Sequence, residues 1–139
     1  MLCARMAAEA MLKGCKPSTH TYLSSKQLPD AMGLFTEDNE LFVPMRDLET
    51  NTLQGGQVIK WLMEEREWQK KMLAGMKAKG AVLRLGSRHS SETILCEGYA
   101  TGLSIEAALR RLCLNAGVLI CFSDRNLVHV APMVKGRKY

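Results

Sequence analysis

The stretch Thr93-Ile94-Leu95-Cys96-Glu97-Gly98-Tyr99-Ala100-Thr101-Gly102, with the thirteen residues 103–115 and Val118-Leu119-Ile120-Cys121-Phe122 behind it, decides the fold. Residues 93–96 form a continuous apolar run of strand length, the pattern of a strand covered on both faces. Residues 97–102 read as a turn. Residues 103–115 have helical periodicity, with Leu103, Ile105, Ala108, Leu109, Leu112 and Ala116 as the apolar stripe. Glu106 and Arg110 make an i,i+4 pair, and Asn115-Ala116-Gly117 is the stop signal. Residues 118–122 are a second buried strand. Strand, helix, strand at this spacing predicts a βαβ unit with parallel strands.

Ligands of open α/β sheets bind beyond the carboxyl ends of the strands. Two acidic residues fall there, Glu97 after the first strand and Asp124 after the second. Carboxylates so placed suit Mg²⁺, a hard cation that takes oxygen ligands and keeps several waters. Ser123-Asp124 also fits a helix N-cap, and a carboxylate in the position of Glu97 also complements the start of the following helix. Residues 126–131 are expected to begin another helix, with Pro132 interrupting it.

Working upstream, residues 2–11 read as an Ala- and Met-rich helix, with Leu2 on its apolar face, that stops at Gly14 and Pro17. Residues 18–28 are polar and irregular. Pro29-Asp30 and Thr36-Glu37-Asp38-Asn39 are turn signals. Residues 40–45 make a short strand ended or pushed to an edge by Pro44. Residues 53–62 read as two short strands broken by Gly55-Gly56. Glu64-Glu65-Arg66-Glu67 favours a helix or a charged hairpin tip between a Trp61 strand and a Trp68 strand, and the strand-like residues on both sides favour the hairpin; residues 81–85 are a further strand closed by Gly86. The expected fold class is therefore α+β or α/β. A leading helix and connector (1–28) precede a small β-rich basic part (29–90), then a partial Rossmann-like βαβ unit (91–139).

Between Trp61 and the βαβ unit lies a run of basic residues, Lys70, Lys71, Lys77, Lys79 and Arg84, with Gly75 and Gly80 interleaved. Glycines allow close approach to a phosphate backbone, and Trp61 and Trp68 are candidates for base stacking or for packing a small β-layer. The 139 residues carry 19 Lys+Arg against 14 Asp+Glu, a net charge of +5. With 47% hydrophobic and 24% charged residues the composition is that of a folded domain. Apolar runs fall short of the roughly 20 residues that span a bilayer, and the first six residues lack the form of a secretory signal. Five scattered cysteines without a CxxC argue for reduced thiols, a cytoplasmic location and no zinc site. His20, His89 and His129 have no mutual spacing that points to a site, and Ser90, Ser91 and Ser104 lack a His or Asp partner at recognisable spacing.

The run Ile94-Leu95-Cys96-Glu97-Gly98-Tyr99-Ala100-Thr101-Gly102-Leu103-Ser104 resembles the toprim domain of phage and plasmid DNA primases, whose strand runs into Glu-Gly-Tyr-Ala-Thr-x-x-Ser. Upstream, His20-Thr21-Tyr22-Leu23 with Lys26 is similar to that family's His-Pro-Tyr-Leu-x-x-Lys. Leu41-Phe42-Val43-Pro44-Met45-Arg46-Asp47 is similar to its Leu-x-Val-Pro-x-x-Asp. Lys70 to Gly75 and Lys79-Gly80 resemble its basic Lys-x-x-x-x-Gly and Lys-Gly steps. The likeness runs from about His20 to Ala131. It implies Mg²⁺- or Mn²⁺-dependent synthesis of RNA primers from nucleoside triphosphates on a single-stranded DNA template, with a helicase domain as a possible companion in the full-length chain. Glu97 matches the family's strand-end Glu, as metal ligand or proton-transfer group. Thr101 stands where cellular bacterial primases carry an Asp, and the family's Asp-x-Asp strand is not met before Tyr139. On this reading the chain is a cut piece of a larger enzyme, inactive alone. Two other readings stand beside it. One is a toprim nuclease or topoisomerase-like fragment, for which Tyr22, Tyr99 and Tyr139 offer no supporting context. The other is a non-catalytic nucleic-acid-binding module.

Overall fold

The computed structural model describes residues 3–139. The chain divides into two compact units, one ending at Ala78 and one running from Lys79 to Tyr139. This division differs from the spans 1–28, 29–90 and 91–139 drawn from composition.

The first unit is an antiparallel sheet with a leading helix. Helix α1 (Ala4–Gly14) starts after Cys3, which lends no side-chain cap, and Lys13 sits in its last turn, where a cation complements the helix dipole. Leu2 lies outside the described residues. Strands β1 (Lys16–Ser18), β2 (Gly33–Phe35), β3 (Leu41–Asp47), β4 (Leu53–Leu62) and β5 (Glu67–Met72) pair in chain order. α1 packs on one face of this sheet. There Ala8 meets Phe42 and Leu53, with Met11, Leu12, Cys15, Val58 and Leu73 around them. The alternate residues Leu41, Val43, Met45 and Ile59 are buried on the opposite face.

Three expectations for this unit need correction. The polar segment 18–28 is not irregular: it contains α2 (Thr21–Ser25), capped by His20, whose Nδ1 accepts the Tyr22 N–H at 3.2 Å. Pro44 does not end β3. The ladder to β2 stops at Phe42, and β3 continues past Pro44 along β4 to Asp47. Nor do Gly55-Gly56 break β4. They lie inside one ten-residue strand because the space above them is filled. A Cβ on Gly56 would stand 2.6 Å from Phe42 Cζ, and one on Gly55 2.7 Å from Met76 Sδ. Gly56→Ala is therefore expected to cost about 1–3 kcal/mol through overpacking, read as a lower urea midpoint at unchanged slope. Gly14→Ala, with nothing within 4 Å, should not destabilise. The Glu64-Arg66 tip does close a β4–β5 hairpin, with Trp61 opposite Trp68.

The second unit contains β6 (Ala81–Leu85), β7 (Glu92–Cys96), α3 (Tyr99–Arg111), β8 (Gly117–Ile120), α4 (Asp124–Val130), a short 3₁₀ turn (Ala131–Met133) and β9 (Arg137–Lys138). The sheet order is β6-β8-β7-β9. β7 pairs with β8 in parallel, Thr93 opposite Gly117 through Cys96 opposite Ile120. β6 is antiparallel to β8, and β9 parallel to β7. β8 is buried along its whole length, whereas β7 is only half buried, less than its apolar run predicts.

The helix α3 starts at Tyr99, so the expected turn over 97–102 is mostly its first turn. Gly98 is the N-cap, and Gly102 lets the helix lie close on β8: a Cβ there would stand 2.5 Å from Ile120. The helix also ends earlier than the Asn-Ala-Gly signal implies. Cys113 turns left-handed (φ 57°), its N–H donating to Arg110 C=O and the Leu114 N–H to Leu109 C=O. This is a Schellman closure, made by a cysteine where glycine is usual. Ala108 and Leu112 of the expected stripe are exposed. The following helix begins at Asp124, earlier than expected, and Pro132 falls in the 3₁₀ turn.

Candidate functional site

Two residues with carboxylates leave the same end of adjacent parallel strands. Beyond the ladder of β7 and β8, the Cys121 N–H donates to Cys96 C=O at 2.9 Å and the Phe122 N–H to Glu97 C=O at 2.8 Å. Glu97 is thus bonded through its backbone to a residue two places before Asp124. Glu97 is exposed and directly precedes the N-cap of α3. Asp124 is in the first turn of α4, where Ser123 Oγ accepts the Asn126 N–H at 3.1 Å and Asp124 Oδ1 accepts the Arg125 N–H at 2.7 Å. The N-cap reading of Ser123-Asp124 therefore holds. Among the described residues no group of three or more His, Cys, Asp or Glu is placed to hold a metal ion. Two hard carboxylates at one sheet edge fit Mg²⁺, which often takes one or two protein carboxylates, its remaining ligands being water and substrate phosphates.

Behind this edge lies a residue that the sequence reading took only as part of a coming helix. Asn126 is buried, and its side chain joins three segments. Oδ1 accepts the Gly80 N–H at 2.8 Å, while Nδ2 donates to Ala81 C=O and to Cys121 C=O, both at 2.9 Å. The amide thereby fixes the start of β6 against the end of β8, at the root of the loop that carries Asp124. Below the edge, burial raises the thiol pKa of Cys96 and that of Cys121, the latter to about 12 with a smaller contribution from Cys96. The raised pKa keeps both thiols protonated at neutral pH, so neither is an activated nucleophile.

The basic run does not form one patch. In the first unit, Lys70 and Lys71 alternate and so fall on opposite faces of β5. Lys77 stands within electrostatic range of Asp47. Lys70 belongs to an aromatic cluster. Trp61 and Trp68 meet edge to face at 5.2 Å, Trp68 meets Tyr22 at 5.1 Å, and His20 stacks on Phe35 at 4.3 Å. The ammonium groups of Lys26 and Lys70 both lie within 6 Å of the Tyr22 ring centroid. The tryptophans thus pack against one another and form part of a β-layer, although Trp61 keeps 43% of its surface exposed.

No protein-family model, curated protein or solved structure matches the chain. Its functional reading rests on its own residues. The division into units sharpens the charge. Up to Ala78 ten basic residues face ten acidic ones, whereas from Lys79 onward nine face four, so the whole +5 belongs to the second unit, which includes Lys79 and Arg84.

Asp47, part of the Leu-x-Val-Pro-x-x-Asp likeness, has a structural role in the β3–β4 turn. Its Oδ2 accepts the backbone N–H of Thr50 (2.9 Å) and Glu49 (3.1 Å) and the Thr50 hydroxyl (3.1 Å). The Thr50 amide bond is the main cause of its lowered pKa, against a smaller opposing effect of burial. A carboxyl whose pKa is lower folded than unfolded stabilises fully above the unfolded value of about 4. That stabilisation fades as pH falls through the lower folded value. Asp47→Asn should therefore flatten the acid limb of the stability profile, as read by urea midpoints between pH 2 and 7.

Proposed function

We propose that the chain is a piece of a DNA primase that makes RNA primers on single-stranded DNA by Mg²⁺-dependent nucleotidyl transfer. The observation that carries this reading is the placement of Glu97 and Asp124 beyond the carboxyl ends of adjacent parallel strands, together with the Glu-Gly-Tyr-Ala-Thr likeness around Glu97. Glu97 and Asp124 are the residues that would hold the metal. Bound there, Mg²⁺ supplies charge neutralisation at the transferring phosphoryl group. The chain's own contribution is positional. The Gly98 N-cap aims the first amides of α3 toward the edge that Glu97 occupies, and Asn126 holds the Asp124 loop. β9, parallel to β7 on the side away from β8, offers the sheet position from which a further strand-end acid would join Glu97.

Lys70, Lys71, Lys77, Lys79 and Arg84 are the candidate contacts to template and nucleoside triphosphates. A helicase domain is the companion expected in the full-length protein, and the cytoplasm its location. No helix among the described residues is long and apolar enough to cross a membrane. With two carboxylates the 139-residue chain is expected to be inactive alone, and robust primer synthesis by it would contradict this. The decisive experiment is primer synthesis on single-stranded DNA by the full-length protein and its Glu97→Gln variant.

A second reading, a nucleic-acid-binding module without catalysis, is favoured by the concentration of charge in the second unit. It predicts salt-sensitive binding that survives Glu97→Gln. A topoisomerase-like reaction has less support, because Tyr22 and Tyr99 are buried and the Tyr139 hydroxyl donates to Glu92 at 3.2 Å.

A further inference from the structure

The two ends of the second unit's parallel strands differ in charge. Glu97 and Asp124 lie at the carboxyl end. The segments that precede the strands, and the end of the helix that returns between them, gather at the amino end. Ser87 C=O lies 3.2 Å from the position a Gly117 Cβ would take, and Ser90 Cβ lies 3.9 Å from it. The Arg137 N–H donates to Ser91 C=O at 3.0 Å. This end therefore collects Arg84 and Arg88 from β6 and its loop, Arg111 from the last turn of α3, and Lys135 and Arg137 around the start of β9.

Among the described residues the only ion pair is Arg110 with Glu106, at 3.1 Å, so these five cations have no carboxylate partner. Glu92, the acid at this end, accepts the Tyr139 hydroxyl. Arg84 is half buried and feels the like charge of Arg88. Close by in the chain, the Ser90 hydroxyl is buried without a hydrogen-bond partner. Five cations without a carboxylate partner, the half-buried Arg84 among them, gathered at one end of a sheet make an arrangement that lacks its anion.

We propose that this amino-end rim binds the sugar-phosphate backbone of a nucleic acid, at a surface separate from the Glu97 edge. Four of the five cations are arginines, whose planar forks engage phosphate oxygens bidentately. Leu112 and Leu114 stand exposed after α3, but two leucines bury too little to hold a lipid surface on their own. The proposal does not depend on the primase reading and makes no use of Glu97.

The test is a salt titration of the 139-residue chain binding a fluorescently labelled 20-nucleotide single strand, followed by anisotropy. The variant Arg88→Gln/Arg111→Gln/Arg137→Gln changes three exposed side chains. It should weaken binding at low salt by at least tenfold and lower the slope of log K against log salt by about 2, since each phosphate contact contributes roughly 0.7 for a single strand. The variant Arg5→Gln/Lys13→Gln/Lys16→Gln removes the same charge from exposed positions in the first unit and should leave the slope unchanged. Equal slope changes in the two triple variants would reduce the effect to diffuse charge and overturn the proposal. So would an unaltered slope in the rim variant. A third overturning result would be a rim variant that loses binding to phosphatidylserine vesicles while keeping its affinity for the oligonucleotide.

Discussion

Asn126→Ala is expected to destabilise the second unit by about 3–5 kcal/mol, the range of the exceptional single substitutions. The side chain makes three buried hydrogen bonds, and its loss orphans one amide and two carbonyls at once, from Gly80, Ala81 and Cys121. Each stranded buried group costs roughly 1–3 kcal/mol before relaxation or water entry offsets part of it. The backbone N–H of Asn126 keeps its bond to Ser123 Oγ, so the loss comes from the side chain and not from the helix cap. Asn126→Asp should fare no better, because it keeps the acceptor for Gly80 but turns a carboxylate oxygen toward two carbonyls. Hydrogen exchange at Gly80 and around the end of β8, with far-UV circular dichroism melts, checks both variants. Protection at Gly80 unchanged in Asn126→Ala would contradict the assignment.

Glu97→Gln in the full-length protein is expected to lower Mg²⁺-dependent primer synthesis by 10²-fold or more, with folding and affinity for single-stranded DNA nearly unchanged. The amide keeps the shape of the side chain but removes the charge that attracts a hard cation, and Glu97 is exposed with its backbone C=O bonded to Phe122, so the substitution disturbs no packing. Primer synthesis that survives the substitution while DNA binding persists would favour the non-catalytic module. The oligonucleotide titration of the rim variant is independent of this result, so the two ideas fail separately.

The central part of the second unit was legible because its signals are local and agree with one another. Residues 93–96 and 118–120 are apolar runs too short for helices, and the Glu106–Arg110 pair, formed at 3.1 Å, marks the helix between them. What escaped depends on contacts distant in sequence. Gly55-Gly56 reads as a breaker until Phe42 and Met76 are seen above the strand. His20 looks isolated until its ring is found against Phe35, fifteen residues on. Asn126 could not be recognised, since two of its three partners lie some 45 residues earlier and are backbone atoms, which leave no trace in residue identity. Cys113 ends α3 without the glycine that normally announces such a closure. The acidic edge was visible as two residues after two strands, but the opposing basic end was not, because its members come from three separated segments.

The Trp61–Trp68 pair has a practical consequence. Both tryptophans of the protein lie in one hairpin of the first unit, with ring centroids 5.2 Å apart. Intrinsic tryptophan emission therefore arises entirely from the segment before Ala78. A denaturation curve followed by emission and one followed by ellipticity need not coincide. Their separation would measure, without any label, how independently the two halves unfold.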